Sequence, residues 1–185
     1  MRSIPTILAL VCAIVLALAV KAQPVERQKN QQQRIGEGIE NGTLNPGEAA
    51  NLDKKAAGIN HEIKADKAAN DGELTPAERK QINNQQNKLS NQIYNDKHNG
   101  QGPVYGNNKV DQRRKMQQER IGEGVENGTL TAGQTAHLEK QESALNKEVR
   151  TDRKANGGSL TPAERKQVNQ QQNKLSREIY RKKHT

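Results

Sequence analysis

A seven-residue phrase occurs four times in this 185-residue chain, at residues 42–48, 72–78, 128–134 and 158–164. Every copy has Gly first, Leu third, Asn or Thr fourth, and Glu or Gln seventh. Asn or Thr followed three residues later by Glu or Gln is typical of a capping box, in which the two residues bond each other's backbone N–H groups at a helix start. The phrase therefore predicts four helix starts, each preceded by a glycine that ends the helix before it.

The predicted capping residues share this spacing and form four pairs: Asn45 and Glu48, Thr75 and Glu78, Thr131 and Gln134, and Thr161 and Glu164. After each cap, apolar residues recur at steps of three and four, as in Leu52, Ala56, Ile59 and Ile63. Such a narrow stripe is typical of amphipathic helices that pack side by side as antiparallel hairpins.

The chain is also duplicated. Residues 34–98 align with residues 120–184 at an offset of 86, and 39 of the 65 aligned pairs are identical. Within each copy the phrase returns after 30 residues, from Gly42 to Gly72 and from Gly128 to Gly158, and repeats at such a period are typical of small helical modules. We therefore predict an all-α fold of two tandem three-helix units, 23–98 and 109–185, joined by a flexible linker, 99–108, that is rich in Gly and Asn. The sequence does not decide whether the units dock.

The predicted helices have these bounds: 25–40, 46–69, 76–97, 110–126, 132–155 and 162–182. The first and fourth contain internal glycines, which cost about 1 kcal/mol each relative to Ala. Their C-terminal turns are therefore expected to fray.

The first 22 residues have the layout of a signal peptide. Arg2 precedes an apolar run over residues 4–20, and Ala22 ends a small-residue cleavage site. Cleavage after Ala22 predicts an exported bacterial protein, periplasmic or extracellular. The alternative is an uncleaved membrane anchor, the one expected route to membrane attachment. The predicted mature chain lacks cysteine, which excludes disulfides and thiolate chemistry.

The charge balance favours either an anionic partner or ordinary solubilising charge. The net charge is +9 for the whole chain, and +7 once the two cations of residues 1–22 are removed. A basic exported protein can adhere to anionic envelope components, whereas the absence of Phe and Trp disfavours nucleic acid as a partner. The candidate polyanion-binding residues are basic and lie in the second unit: Arg113, Arg114, Lys115, Arg177, Arg181, Lys182 and Lys183.

The same composition limits the core. With few large apolar side chains, each unit is expected to be marginally stable by itself. Each unit is therefore expected to need a further contact to be fully folded. Docking of the two units, a homo-oligomer or a bound partner would supply that contact.

Calcium binding is an alternative function. The phrase Asp71-Gly-Glu-Leu-Thr-Pro-Ala-Glu78 resembles the second half of an EF-hand loop, with Gly at position six and Glu at position twelve. The first half departs from that pattern, because positions one and three would be Lys67 and Ala69. The candidate metal ligands are acidic residues of the second and fourth phrases: Asp66, Asp71, Glu78, Asp152 and Glu164. No other cofactor is predicted.

The segment Leu130-Thr-Ala-Gly-Gln134 has the motif of the LTxxQ family of periplasmic stress proteins, and residues 74–78 and 160–164 match it with Glu in place of Gln. The chain resembles that family, which implies a small, basic, helical, exported protein with chaperone-like activity and no catalysis. It lacks the family's Met-rich and aromatic client surface. It also resembles exported bacterial proteins of unknown function with tandem capped-helix repeats.

Catalytic motifs are absent from the sequence. The four histidines form no metalloprotease motif, no nucleophile elbow occurs around a serine, and Asp53 and Glu62 are expected on a solvated helix face. We therefore predict a non-enzymatic, exported protein that acts by binding. Protein clients, with a chaperone-like role, and anionic envelope components are the leading partners. The alternatives are a degenerate EF-hand protein that binds divalent cations and a structural or stress-solubility protein without a specific ligand.

Overall fold

The computed structural model describes residues 24–185, so the predicted signal peptide lies outside the described residues. Six helices and no strand occur in this range, and the all-α prediction is confirmed. The helices follow one another as α1 (24–40), α2 (Pro46–Ala69), α3 (Pro76–Lys97), α4 (Lys109–Glu126), α5 (Ala132–Ala155) and α6 (Pro162–Lys183).

The repeated phrase forms capping boxes. At α3, the Thr75 hydroxyl accepts the Glu78 N–H, and the Glu78 carboxylate accepts the Thr75 N–H at 2.8 Å. The same reciprocal pair begins α2, α5 and α6. The first glycine of every phrase has a positive φ, between 71° and 98°, where only glycine is unstrained. Each phrase therefore ends one helix and starts the next.

In each half of the chain, a buried glutamine of the first helix makes the same two hydrogen bonds to the third helix. In the first half, Gln31 of α1 donates its amide hydrogens to the Gln86 carbonyl and the Ser90 hydroxyl of α3, at 2.7 and 2.8 Å. In the second half, Gln117 of α4 makes the equivalent two bonds to α6, at 2.8 and 2.9 Å. Buried glutamine thus ties the first and third helices of each half together.

The two halves pack against each other, which the sequence left open. The most extensive helix contact is between α2 and α5. These helices run antiparallel, because Gly47 lies beside Ser143 while Asp53, later in α2, lies near Glu139, earlier in α5. One hydrophobic cluster contains residues from both halves, and a smaller cluster lies within the second half.

The internal glycines allow α1 and α4 to cross in backbone contact. A Cβ built on Gly36 would lie 3.1 Å from the Gly122 carbonyl oxygen, and one on Gly122 would lie 2.9 Å from the Gly36 carbonyl oxygen. Both helices continue through these glycines, to residue 40 and to Glu126. The expected fraying was wrong, because close packing between the halves uses these positions.

Candidate functional site

Three carboxyl groups are buried where the two halves meet. Asp53 of α2 and Glu139 and Glu142 of α5 are each 0% exposed. Asp53 accepts a hydrogen bond from Gln32 at 3.0 Å, and Glu139 accepts two from Gln118 at 3.1 Å. The expectation that Asp53 lies on a solvated face was wrong, because α2 turns that face towards α5.

The buried carboxyl groups favour their neutral form. Burial raises the pKa of Asp53 to about 7 and that of Glu142 to about 8, against the lowering effects of the Gln32 hydrogen bond and the Arg114 charge. Burial also raises the pKa of Glu139 well above its ordinary value, and Glu142 and Asp53 add to that rise. At neutral pH this interface therefore holds protons that exposed carboxylates would have lost.

A buried cation lies beside these acids. Arg114 of α4 is 7% exposed, bonds Asp111 at 2.9 Å, and lies 5.4 Å from the ring centre of Tyr105. Arg153 of α5 also bonds Asp111, at 3.0 Å. Both Glu142 carboxyl oxygens and the Arg114 Nε have no hydrogen-bond partner among the described residues. Hydrogen-bond capacity thus remains unused at the centre of the protein.

The predicted polyanion-binding residues do not form one surface. Arg114 is buried, and Lys115 forms an ion pair with Glu119. Lys182 forms an ion pair with Glu178, and Lys183 forms one with Glu123. The charge of each lysine is therefore offset by a glutamate of the same half.

The remaining predicted cations lie on the outer side of the second half. Arg177 and Arg181 of α6 are exposed, as is Lys174, and Arg113 of α4 reaches α6 through a 2.9 Å hydrogen bond to Asn173. We call Arg113, Lys174, Arg177 and Arg181 the α6 face. Arg113, Arg177 and Arg181 belong to the predicted basic set and Lys174 does not, whereas the exposed Lys115 is left out because it pairs with Glu119.

The candidate calcium ligands serve the helix caps. Glu78 accepts the Thr75 N–H and two bonds from Asn70, at 2.9 and 3.1 Å. Glu164 is held by Thr161 and Asn156 in the same way. These hydrogen bonds lower the pKa of both glutamates.

The other candidate ligands do not converge with these glutamates on one point. Asp71 is exposed in the turn after α2, and the pKa values of Asp66 and Asp152 are raised by slight desolvation and neighbouring glutamates. Over residues 24–185, no group of three or more His, Cys, Asp or Glu side chains is arranged to hold a metal. Calcium binding stays an untested alternative.

A groove of glutamates lies where α1 and α4 cross. Glu37 and Glu40 of α1 and Glu123 and Glu126 of α4 line a cavity of about 770 Å³. Desolvation and a shared hydrogen bond with Glu40 raise the pKa of Glu126. The second half therefore presents acidic as well as basic surfaces.

The histidines at the helix ends have structural contacts. His98 is the C-cap of α3, and its Nδ1–H donates to the Tyr94 carbonyl at 2.6 Å while the two rings stack. His184 repeats this arrangement with Tyr180 at the end of α6. Neither histidine contacts the buried acids.

Sequence reasoning missed the buried acids, although a signal was present. Asp53 and Glu139 occupy equivalent positions, as do Gln32 and Gln118, so both copies place an acid opposite a glutamine. Glu142 has no such signal, because its equivalent is Ala56. A polar pair retained at matching positions of a duplicated chain indicates a buried contact as readily as a surface one.

No protein-family model, curated protein or solved structure matches this chain. The resemblances to the LTxxQ family and to EF-hand loops therefore stay predictions. Within residues 24–185 no helix is long and apolar enough to cross a membrane.

Proposed function

We propose that this chain is an exported, non-enzymatic binding protein, built from two three-helix units, whose second unit attaches to anionic components of the cell envelope. The signal-peptide layout of residues 1–22 supports export. Binding occurs through the α6 face, where cations project from a rigid, capped helix. The two units share their scaffold and differ in surface chemistry.

One observation carries this proposal: the net charge is confined to one copy of a duplicated scaffold. Residues 109–185 contain 17 Lys and Arg against 10 Asp and Glu, a net charge of +7, whereas residues 23–98 contain 11 of each. Arg177 and Arg181 correspond to Asn91 and Asn95 of the first unit. Because the fold accepts either residue type, folding alone does not require the arginines.

The chaperone-like alternative has less support from the described residues. Their large exposed apolar side chains lie on five different segments: Val25 on α1, Tyr94 on α3, Val104 in the linker, Met116 on α4 and Tyr180 on α6. A client-binding surface generally needs a contiguous apolar patch. The α6 face offers charge instead.

Vesicle co-sedimentation tests the proposal. Wild-type protein is expected to bind vesicles that contain phosphatidylglycerol, to bind neutral phosphatidylcholine vesicles poorly, and to be released by salt. Arg177→Asn with Arg181→Asn introduces the residues of the first unit. At about 1 kcal/mol for each cation near an anionic surface, this change is expected to weaken binding about 30-fold.

The matched control removes the same charge elsewhere. Lys64→Asn with Lys80→Asn changes two exposed lysines of the first unit and lowers the net charge equally. It is expected to keep binding close to wild type. Equal weakening by both pairs would show that net charge alone drives adhesion, and no binding to anionic vesicles or isolated envelope material would overturn the proposal.

A further inference from the structure

A cleft lies where the linker crosses both halves of the molecule. It has a volume of about 660 Å³ and is lined by the first turn of α2, residues 101–104 of the linker, Arg114 of α4, and α5 from Ser143 to Arg153. It is separate from the α6 face, because no residue of α6 lines it. Clefts at the junction of several elements are common ligand sites.

The lining of the cleft is strongly basic. Arg114, Lys147, Arg150 and Arg153 line it, and no Asp or Glu does. Asp111 pairs with Arg114 and Arg153, so one carboxylate is shared by two guanidinium groups. Lys147 and Arg150 form no ion pair with any described residue of the chain. The excess positive charge is therefore not compensated within residues 24–185.

Two further acids lie near the cleft, and among residues 24–185 neither forms an ion pair with a cation that lines it. Glu48, in the first turn of α2, accepts the Asn45 N–H and a bond from Asn99. Glu142 faces Arg114, and its burial keeps the carboxyl group protonated at neutral pH. Among the described residues, Asp111 is therefore the acid that pairs with Arg114.

A buried donor beside the cleft has no partner. Arg114 is more than nine-tenths buried, and its Nε–H makes no hydrogen bond to the described residues. Unsatisfied buried donors are costly, at about 1–3 kcal/mol. The Nε–H is closed to solvent in this conformation, so an acceptor from the cleft would reach it only after a shift of the Arg114 side chain.

We propose that this cleft binds the phosphoryl group of a small phosphate compound or of a phosphate-bearing polymer. Guanidinium groups match phosphate oxygens in a two-pronged geometry, and a lysine ammonium adds a point charge. Lys147 and Arg150 are exposed and contact the anion, whereas Arg114 adds its positive charge from the buried wall of the cleft. Multiply charged phosphates bind best, because four cations face one cavity.

The first half offers no equivalent site. The positions that correspond to Arg114, Lys147 and Arg150 are Gln28, His61 and Lys64. The exposed pair His61 and Lys64 therefore supplies a control at the positions equivalent to Lys147 and Arg150, with one formal charge fewer because histidine is counted as neutral.

Isothermal titration calorimetry of the purified full chain with inorganic tripolyphosphate, at constant ionic strength, tests this site. Wild-type protein is expected to show saturable binding at one site. Lys147→Gln with Arg150→Gln removes two exposed charges and is expected to weaken binding at least about tenfold, the effect of losing one charge-assisted hydrogen bond. His61→Gln with Lys64→Gln is expected to stay within about twofold of wild type.

Three outcomes would overturn the site: no saturable binding by wild type, unchanged binding after the Lys147 and Arg150 changes, or an equal loss in the His61 and Lys64 control. Arg177→Asn with Arg181→Asn is expected to leave tripolyphosphate binding intact, so failure of the cleft and failure of the α6 face are distinguishable. A titration with long-chain polyphosphate identifies the source. If long-chain polyphosphate binds more tightly per site than tripolyphosphate, the ligand is a polymer. If the two bind equally, the ligand is a small compound.

Discussion

The first half, residues 24–98, and the second half, residues 109–185, have the same helices and different chemistry. Both begin helices with capping boxes, brace the first helix against the third through a buried glutamine, and place a glycine where α1 crosses α4. These shared features all satisfy backbone groups or allow close packing. The scaffold therefore depends on a small set of residues that both copies retain.

The differences between the halves are concentrated in charge. Ala56 of the first half corresponds to the buried Glu142, Gln28 to the buried Arg114, and Asn91 to the exposed Arg177. Because these changes leave the helix bounds unaltered, they are free to serve binding or pH response. Binding and pH response are therefore expected at the positions where the two copies of the scaffold differ.

The largest expected effect is a loss of stability as the pH rises from 5 through 8, which comes from the buried acids at the interface. A folded-state pKa above the unfolded value stabilises the protein fully below the unfolded pKa, and this stabilisation is lost as the pH rises through the folded pKa. For Asp53, a rise from 3.8 to about 7 corresponds to roughly 4 kcal/mol in total, of which roughly 3 kcal/mol is lost between about pH 5 and pH 8, at about 1.4 kcal/mol per pKa unit. The free energy of unfolding, from urea denaturation, is expected to be markedly lower at pH 9 than at pH 5.

Glu142→Gln sharpens this prediction. An amide cannot ionise, so the variant is expected to lose less stability between pH 5 and pH 9 than wild type does. Glu62→Gln, a change at a half-exposed residue, is the control and should follow the wild-type profile. A flat wild-type profile across this range would contradict buried, protonated acids at the interface.

The next largest effect concerns the crossing of α1 and α4. Gly122→Ala places a methyl group 2.8–2.9 Å from backbone and Cβ atoms of α1, and such overpacking costs about 1–3 kcal/mol. Gly58→Ala has open space around it, so it is expected to stabilise α2 by about 0.5–1 kcal/mol. Urea denaturation midpoints measure both changes. Stabilisation by Gly122→Ala would show that α1 and α4 are not in close contact at this glycine.

A smaller effect, equal in both halves, is expected at the caps. Thr75→Ala and Thr161→Ala each remove a side-chain acceptor from a capping box, which costs about 1 kcal/mol. Ser159→Ala, in the exposed turn before α6, is expected to change stability by less than about 0.5 kcal/mol. Thermal melts compare the three variants. Unequal losses at Thr75 and Thr161 would show that the equivalent caps of the two halves contribute differently to stability.

The smallest effect on stability is expected on the α6 face. Arg177→Asn with Arg181→Asn changes two exposed residues whose first-half equivalents are already Asn. The free energy of unfolding is therefore expected to stay within about 0.5 kcal/mol of wild type. A larger loss would mean that these arginines support the fold rather than a partner.

Local features of the fold were predictable from the sequence, and contacts between distant segments were not. Helices α2, α3 and α5 have the bounds that the phrase and the apolar spacing predict, because caps and periodicity act within a few residues. The docking of α2 on α5 depends on surfaces that lie 86 residues apart, and no local signal encodes it. From the sequence, internal glycines predict a weakened helix. In the structure, Gly36 and Gly122 instead allow the backbones of α1 and α4 to come into contact.

The candidate sites show the same limit. Arg177 and Arg181 were predictable as exposed cations because they lie opposite the apolar stripe of α6. Arg114 was predicted to bind a polyanion at the surface, whereas packing of α4 against α5 buries it. Which charges meet solvent depends on how the halves pack, and a single sequence does not contain that information in readable form.

Moving the two arginines of the α6 face to the first half tests most directly whether the shared scaffold presents the binding surface. In the Arg177→Asn, Arg181→Asn background, Asn91→Arg with Asn95→Arg restores the wild-type net charge and moves the two arginines to the equivalent positions of α3. Co-sedimentation with phosphatidylglycerol vesicles is the measurement. If the scaffold of either half can present the arginines, the four-substitution variant is expected to recover most of the lost vesicle binding. If it binds no better than the Arg177→Asn, Arg181→Asn variant, the proposed role of the shared scaffold is wrong.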